Sequence, residues 1–139
     1  MNKVLITGGA GFIGSNISLT LIKKGYGVTV LDSLSEQIHG VNPEKTSPLY
    51  QSIKDKVNFI KGDVNNRADW EQALKDIDFV IHLAAETGTG QSMYEIKKYV
   101  DTNIGGTALL LDILTNTKHH VKRVVVADSR AIYGEGKYL

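Results

Sequence analysis

The stretch KVLITGGAGFIGSN, from Lys3 to Asn16, decides the fold. Its first part, Lys3 to Thr7, is a short apolar run of β-forming residues, which predicts a buried strand. A glycine-rich turn follows, and apolar residues then recur at helical spacing until Gly25, which marks the end of a helix. The next segment, GVTVLD, ends at Asp32 and predicts a second strand. Strand, glycine turn, helix and strand form one βαβ unit.

The rest of the sequence continues the alternation of strands and helices. A polar stretch with both prolines contains a short helix in SPLYQSIKDK. We predict three more strands, in VNFIKGDV, DFVIHLAA and KRVVVAD, and a helix in NNRADWEQALKDI that is capped by Asn65 or Asn66. Ser92 and Glu95 form a capping-box pattern, which predicts a long helix from Met93 to about Thr117. This alternation predicts an α/β Rossmann-type, doubly wound parallel sheet with strand order 3-2-1-4-5 and helices on both faces.

Composition narrows the classes of protein. The chain has 139 residues, of which 42% are hydrophobic and 22% charged, and its net charge is +1. We therefore expect one domain over residues 1–139. The near-neutral charge argues against nucleic acid or a membrane surface as a general partner. The sequence has no cysteine, no apolar run as long as a membrane span and no signal-peptide core, so we expect a cytoplasmic location.

The glycines of the first turn predict a phosphate-binding loop. Gly8, Gly11 and Gly14 lie between the first strand and the first helix, and Gly9, Gly11 and Gly14 also satisfy G-x-G-x-x-G. Such a turn bends tightly, lets the backbone approach a pyrophosphate and lets helix and strand pack closely, while the helix N-terminus attracts the phosphates. The alternative is a plain βα turn, but the context of strand before and helix after favours dinucleotide binding.

Two aspartates follow predicted strands and are candidates for the nucleoside. Asp32 comes 18 residues after Gly14, where an acid accepts hydrogen bonds from the adenosine ribose and repels a 2′-phosphate. Ser33 follows it in place of an arginine, which favours NAD over NADP; a simple turn aspartate is the alternative. Asp63 is a candidate acceptor from the adenine amino group, or else a turn aspartate before a helix. His82 ends a strand, and we interpret it as structural.

Six segments occur in the order seen in a known superfamily: TGGAGFIG, LDSL, GDV, HLAA, YVDTNIGGT and VVADSRAIYGEG. In them the chain resembles the extended short-chain dehydrogenases/reductases, and more narrowly the NAD-dependent sugar-nucleotide epimerase/dehydratase family. The resemblance covers essentially all 139 residues. Within the family, SEQIHG, GTGQSMYEI and AIYGEGKY are most similar to dTDP-L-rhamnose 4-epimerase-like enzymes.

The resemblance implies roles for individual residues. Ser129 matches the catalytic serine, whose hydroxyl would hydrogen-bond the reacting sugar oxygen, and no residue is assigned to a metal. Two positions depart from the family pattern: Asp128 replaces a usual serine, and Thr87 stands where some members carry a lysine. The implied cofactor-binding residues are Gly8, Gly11, Phe12, Ile13, Gly14, Asp32, Asp63, Val64, Leu83, Ala84, Ala85 and Asn103.

The implied activity is NAD-dependent epimerisation or dehydration of a nucleotide-activated hexose through a transient 4-keto sugar. In the family a tyrosine takes the sugar hydroxyl proton, and a lysine four residues later lowers the pKa of that tyrosine. Tyr133 and Lys137 have this spacing, but Gly134 and Gly136 between them cost a helix about 2 kcal/mol against alanine. We therefore interpret the spacing as coincidental and expect the true pair beyond residue 139.

Three expectations follow from the resemblance. Residues 1–139 would be a truncated NAD-binding Rossmann domain that binds NAD without turnover, with the nucleotide sugar bound by the full-length parent. The alternatives are a stand-alone, non-catalytic NAD-binding or regulatory module and a sugar- or ketone-reducing relative. A homodimer would form through the long helix, residues 93–117, and Leu109, Leu110 and Ile113 would lack their usual cover.

Overall fold

Five parallel strands form the centre of the computed structural model, which describes residues 1–129. The middle strand, β1 (Lys3–Thr7), is flanked by β2 (Gly27–Asp32) and then β3 (Asn58–Lys61) on one side. On its other side lie β4 (Phe79–His82) and then β5 (Arg123–Val126). This order confirms the predicted Rossmann topology. The chain first adds β2 and β3 on one side of β1 and then adds β4 and β5 on the other side. A crevice therefore opens at the carboxyl ends of β1 and its neighbours.

Helices connect the strands and cover both faces of the sheet. The predicted helix before β4 is present, and the side chain of Asn66 caps it by accepting a hydrogen bond from the Ala68 N–H at 3.0 Å. No helix within residues 1–129 is long and apolar enough to cross a membrane. In chain order the helices are α1 (Phe12–Lys23), α2 (Glu36–His39), α3 (Pro43–Thr46), α4 (Pro48–Ile53), α5 (Arg67–Ala73), α6 (Thr89–Ser92), α7 (Ile96–Val100) and α8 (Gly106–Asn116).

The central strands β1, β2 and β4 are largely buried on both faces, which explains their continuous apolar sequences, whereas the edge strands β3 and β5 are more exposed. Side chains alternate along β1, so that Val4 and Ile6 join the cluster beneath α1 and α4 while Leu5 joins the opposite cluster beneath α5 and α8. Trp70 is fully buried in the second cluster, and its indole N–H donates to the Val64 carbonyl at 2.7 Å. That bond ties α5 to the loop that follows β3.

The predicted capping box of the long helix is wrong. The hydroxyl of Ser92 donates to the Thr89 carbonyl at 2.8 Å, so that Ser92 completes α6 and does not open a later helix. The next helix, α7, begins at Ile96, and a π-helical turn, Asp101–Gly105, separates it from α8. The chain is nonetheless helical without a break from Ile96 to Asn116, so the expected long helix is present, with a later start and a π-helical turn in its middle.

The packing of α8 also differs from the expectation. Leu110 and Ile113 are buried against the sheet and Leu109 is half-buried, so these residues do not form an uncovered patch. The helix comes this close because Gly106 has no side chain: a Cβ there would lie 2.7 Å from Cγ2 of Val64. The apolar side chains that are exposed along α7, the π-helical turn and α8 are Ile96, Val100, Ile104 and Leu111.

Candidate functional site

The turn between β1 and α1 is built so that three backbone segments meet. Gly8 has φ of +65°, and its N–H donates to the Leu31 carbonyl at 2.9 Å. A Cβ on Gly8 would lie 2.9 Å from the Ala84 backbone nitrogen, so only glycine lets this turn pack against the loop after β4. A Cβ on Gly14 would lie 2.5 Å from the Gly8 carbonyl oxygen. The predicted close approach of helix and turn is therefore present.

The N-terminus of α1 opens into the crevice. Gly11 is the N-cap residue, and no side chain bonds to the first N–H groups of the helix. Those groups lack helical partners and carry the positive end of the helix dipole, which favours an anion such as a phosphate. Phe12 and Ile13 follow with 75% and 61% of their surface exposed, and both line the cleft. Their apolar side chains would face a bound ligand and not the protein core.

Asp32 joins the glycine turn to the end of β2. One carboxylate oxygen accepts from the Ala10 N–H at 2.9 Å and the other accepts from the Leu34 N–H at 2.8 Å. The residue is 8% exposed and lines the cleft. Each carboxylate oxygen has a second lone pair, so the group has acceptor capacity for two hydroxyls. This is the arrangement expected of a ribose-binding acid.

Asp63 and Val64 line the same cleft beyond the end of β3. The Asp63 N–H donates to a carboxylate oxygen of Asp69 at 2.8 Å, and one Asp63 carboxylate oxygen accepts from the Asn65 N–H at 2.8 Å. The turn reading of Asp63 is thus correct, and its side chain is also exposed at the cleft, where the adenine role stays a prediction. Val64 is buried between this loop and Gly106.

His82 is a buried link between strands and the helical layer. Thr7 Oγ1 accepts from the Leu83 and Ala84 N–H groups, so its own hydroxyl hydrogen donates to His82 Nδ1 at 2.7 Å. The other ring nitrogen, Nε2, then donates to Thr107 Oγ1 at 3.0 Å. Burial lowers the pKa of His82, because the charged imidazolium would lose its hydration. The structural interpretation of this histidine agrees with its contacts.

Asn103 holds the segment that follows β4. Its side-chain oxygen accepts from the Glu86 N–H at 2.7 Å, and its side-chain nitrogen donates to the Glu86 carbonyl at 3.1 Å. Lys98 Nζ lies 3.2 Å from Glu86 Oε2, and the pair raises the pKa of Lys98. Asn103 does not belong to the cleft lining, so in this structure it shapes the wall indirectly, and its cofactor contact stays a prediction.

Ser129 lies after β5 at the same carboxyl edge of the sheet. Its N–H donates to the Asp128 carboxylate at 2.7 Å. Two residues earlier, Ala127 lines the cleft, and its N–H donates to the His82 carbonyl, which extends the pairing of β5 with β4. The Tyr133-to-Lys137 spacing lies outside the described residues. The catalytic role of Ser129 therefore also stays a prediction.

The sequence also contains a second Tyr-x-x-x-Lys spacing, from Tyr94 to Lys98. Tyr94 is 86% exposed and precedes α7. Lys98 is paired with Glu86 and lies 3.7 Å from Glu95 Oε2. With its cation matched to two carboxylates, Lys98 is engaged in surface ion pairs. The spacing alone therefore does not make an acid–base pair.

The lining of the cleft brings together residues from the ends of β1 to β5. It encloses about 380 Å³ and combines a glycine turn with an acid at the end of β2. One wall of the cleft was not predicted from the sequence: Ser35, Ile38 and His39 around α2 form it, and the only signal there is the similarity of SEQIHG to the family. All predicted cofactor-binding residues except Asn103 line this cleft: Gly8, Gly11, Phe12, Ile13, Gly14, Asp32, Asp63, Val64, Leu83, Ala84 and Ala85.

The chemistry of this lining fits a dinucleotide. The glycine turn, which a Cβ would fill, and the free N–H groups at the start of α1 match a pyrophosphate. The buried carboxylate of Asp32 matches the ribose beside it. The apolar part of the lining, including Leu83 and Ala84, suits the faces of planar rings. The arrangement is suited to binding and orienting a ligand, and we assign no acid–base pair within residues 1–129.

Comparisons with known proteins agree with this geometry. The family model described as the NAD dependent epimerase/dehydratase family matches residues 4–138. A dTDP-L-rhamnose 4-epimerase from Burkholderia thailandensis is 38% identical over 138 residues, which are 98% of this chain and 37% of that protein. The chain thus spans about 40% of the length of the relatives that it matches.

Solved structures give the same result. The UDP-glucose 4-epimerase from Bifidobacterium longum, in complex with NAD+ and UDP, superposes with a TM-score of 0.78 at 33% identity, covering 99% of this chain and 40% of that one. The UDP-glucuronic acid 4-epimerase from Bacillus cereus, in complex with UDP-glucuronic acid and NAD, gives a TM-score of 0.80 at 32% identity, covering 98% of this chain and 43% of that one.

Proposed function

The chain belongs to the NAD-dependent epimerase/dehydratase family, as its motifs predicted, and on that premise we propose that its cleft binds NAD. One observation carries the proposal: the Asp32 carboxylate is bonded to the Ala10 N–H inside the glycine turn. The group that would take the ribose and the backbone that would take the pyrophosphate are therefore held in one rigid unit. The relatives that were solved with NAD support the same cofactor.

Each part of the cleft has a binding task. The N–H groups at the start of α1 orient the pyrophosphate, and the Asp32 carboxylate accepts the adenosine ribose hydroxyls. Asp63 accepts from the adenine amino group. The same carboxylate charge at Asp32 disfavours a 2′-phosphate, so that NAD binds more tightly than NADP.

We propose that the full-length parent epimerises or dehydrates a nucleotide-activated hexose through a transient 4-keto sugar. When bound, NAD supplies the hydride acceptor and donor for the sugar carbon. Ser129 holds the reacting sugar oxygen by its hydroxyl, since the end of β5 lies at the same edge of the sheet as the cleft. The similarity to the dTDP-L-rhamnose 4-epimerase from Burkholderia thailandensis supports a dTDP-hexose, in preference to other nucleotide sugars, as the substrate.

For the 139-residue chain alone we propose NAD binding without turnover, in a cytoplasmic setting. We also propose a homodimer that forms through the long helix, residues 93–117. Its exposed apolar side chains would form the contact, among them Ile104, which is 65% exposed, and Leu111, which is 51% exposed. Sedimentation at rising protein concentration tests this point. A clean monomer at all concentrations would contradict the dimer.

Calorimetric titration with NAD and NADP tests the binding proposal. We expect NAD to bind at least about tenfold more tightly than NADP, because a 2′-phosphate beside Asp32 costs about 1.4 kcal/mol or more. Equal affinity would contradict the role of Asp32, and no binding of either would contradict the cofactor site.

An assay with dTDP- and UDP-hexoses, followed by separation of the epimers, tests the rest. Turnover by the purified 139-residue chain would contradict the absence of catalysis. NAD binding without turnover even in the longest natural form of the protein would favour the alternative, a non-catalytic NAD-binding or regulatory module.

A further inference from the structure

A buried histidine to which the resemblance assigns no role lies against the acid of the cleft. His39 ends α2, and its Nε2 lies 3.7 Å from Asp32 Oδ1. The side chains are only 3% and 8% exposed, respectively. The other ring nitrogen, Nδ1, lies 3.0 Å from Ser47 Oγ, which is also buried. A buried imidazole needs polar partners on both sides, and here one partner is the ribose-binding carboxylate.

The contacts of Ser47 determine which nitrogen carries the proton. Ser47 is the N-cap of α4, and its oxygen accepts from the Tyr50 N–H at 3.3 Å. Its hydroxyl hydrogen can then donate to His39 Nδ1, which leaves the imidazole proton on Nε2. The opposite tautomer would aim the Nε2 lone pair at a carboxylate oxygen, which is repulsive in a buried site. The geometry therefore selects an Nε2–H that points at Asp32.

At 3.7 Å this contact is longer than a hydrogen bond, so it acts as an N–H dipole directed at Oδ1. The Ala10 and Leu34 N–H groups hold the two carboxylate oxygens from the backbone side. His39 adds a third constraint from the side of α2, which limits rotation of the carboxylate. The orientation of that carboxylate decides whether its remaining lone pairs meet the ribose hydroxyls.

We propose that His39 is a positioning residue that orients the Asp32 carboxylate and thereby favours NAD over NADP. The proposal rests on the proposed function of the cleft. Serine, histidine and aspartate are also the residues of a hydrolase triad, but Ser47 is 2% exposed, is absent from the cleft lining and caps α4. Its oxygen is therefore a structural support and not a nucleophile.

Two substitutions separate positioning from mere packing. In His39→Gln the side-chain amide reaches the place of Nε2 and keeps a donor toward Asp32, whereas in His39→Asn it reaches only the place of Nδ1, toward Ser47. We expect His39→Gln to bind NAD within about twofold of the original chain and His39→Asn to bind it about tenfold more weakly, because the Asp32 carboxylate loses the N–H dipole that orients it. NADP affinity falls less, so the NAD-over-NADP ratio shrinks in His39→Asn.

The same substitutions in an Asp32→Asn background complete the test. If His39 acts through Asp32, His39→Asn has no further effect on the ratio there. A parallel loss of NAD and NADP in both His39 variants, or an effect that persists in the Asp32→Asn chain, would overturn the proposal. If the original chain binds no NAD, the proposed function fails instead.

A measurement on the unsubstituted chain keeps the proposal testable if the variants do not fold. The nitrogen NMR shifts of the His39 imidazole distinguish its tautomers, and we expect a proton on Nε2. A neutral ring that is protonated at Nδ1 would overturn the proposed orientation, whatever the cofactor does.

Discussion

The two sides of the cleft are held in different ways. On the β2 side, Asp32 is buried, both its oxygens accept backbone N–H groups, and a buried histidine packs beside it. On the β5 side, Ser129 and Asp128 are exposed, and the Ser129 N–H donates to the Asp128 carboxylate. The β2 side is thus preorganised for recognition by buried contacts, while the side assigned to chemistry is exposed to solvent. Cofactor affinity and the preference for NAD over NADP should therefore depend more on the β2 side than on the β5 side.

The largest loss of NAD affinity is expected for a substitution of Gly8, which lies in the turn between the two sides of the cleft. Gly8→Ala would place a methyl group 2.9 Å from the Ala84 nitrogen in addition to the strain of a positive φ. We expect loss of NAD binding by more than about a hundredfold, because the turn and the loop after β4 must separate.

The matched control for Gly8 is Gly25, which has φ of +81° with no atom within 4 Å of its virtual Cβ. Gly25→Ala should lose about 1–2 kcal/mol of unfolding free energy from backbone strain alone and keep its NAD affinity. Calorimetry and urea unfolding measure both quantities. Equal loss of NAD binding in the two variants would show that general strain, not the contact with Ala84, is responsible.

The second prediction compares the two sides directly. Asp32→Asn replaces an acceptor-only group with an amide whose NH₂ faces an N–H donor, so we expect NAD affinity to fall about tenfold or more. Ser129→Ala should leave NAD affinity within about twofold, since this side chain is assigned to the sugar. Calorimetric titration of both variants is the measurement, and a comparable loss in Ser129→Ala would show that the open side also contributes to cofactor binding.

The third prediction concerns pH and His82, which links the strands beneath the cleft to the helical layer. Burial lowers the pKa of His82 in the folded state below its ordinary value, so the unfolded state takes up a proton first as pH falls. This histidine therefore favours the folded state fully above about pH 6.5, and the stabilisation is lost as pH falls from there through its folded pKa.

Urea unfolding at pH 7.5 and pH 5.5 measures this loss, which we expect to be on the order of 1 kcal/mol. His82→Gln removes the titrating group and should flatten the difference between the two pH values, after a constant loss from the bonds to Thr7 and Thr107. An equal pH dependence in both chains would place the titrating group elsewhere.

The smallest effects are expected at the mouth of the cleft. Asn103→Ala removes two hydrogen bonds to the Glu86 backbone at an exposed position, and we expect faster amide exchange in the segment after β4 with about 0.5–1 kcal/mol of lost stability. Lys98→Gln removes only an exposed ion pair, worth less than about 1 kcal/mol and weaker in high salt. Hydrogen exchange by mass spectrometry compares the two variants. Faster exchange after β4 in Lys98→Gln than in Asn103→Ala would show that the ion pair, and not Asn103, holds this segment.

Local patterns in the sequence were sufficient for the fold and for most of the cleft. Apolar runs, the glycine turn and helical spacing predicted the βαβ unit and the strand order. A strand that is buried on both faces requires apolar residues along its whole length, and the positive φ of the turn at Gly8 favours glycine, so both features are visible in the sequence. Asp32 was predictable for the same reason: its distance from the turn is set by one helix and one strand.

Tertiary structure decided the rest, since it brings together residues whose pairing has no sequence period. The sequence predicted Ser92 as a helix cap, but its hydroxyl donates to the preceding Thr89 carbonyl. It also predicted that Leu110 lacks cover, but Leu110 is buried because α8 packs on the sheet. His39 lies in a polar stretch without any repeating pattern, yet the short helix α2 turns it inward onto Asp32. The sequence by itself determined which groups the cleft contains. Burial and three-dimensional proximity decided which of those groups act on one another, because hydrogen bonds and electrostatic contacts depend on distances that local spacing does not set.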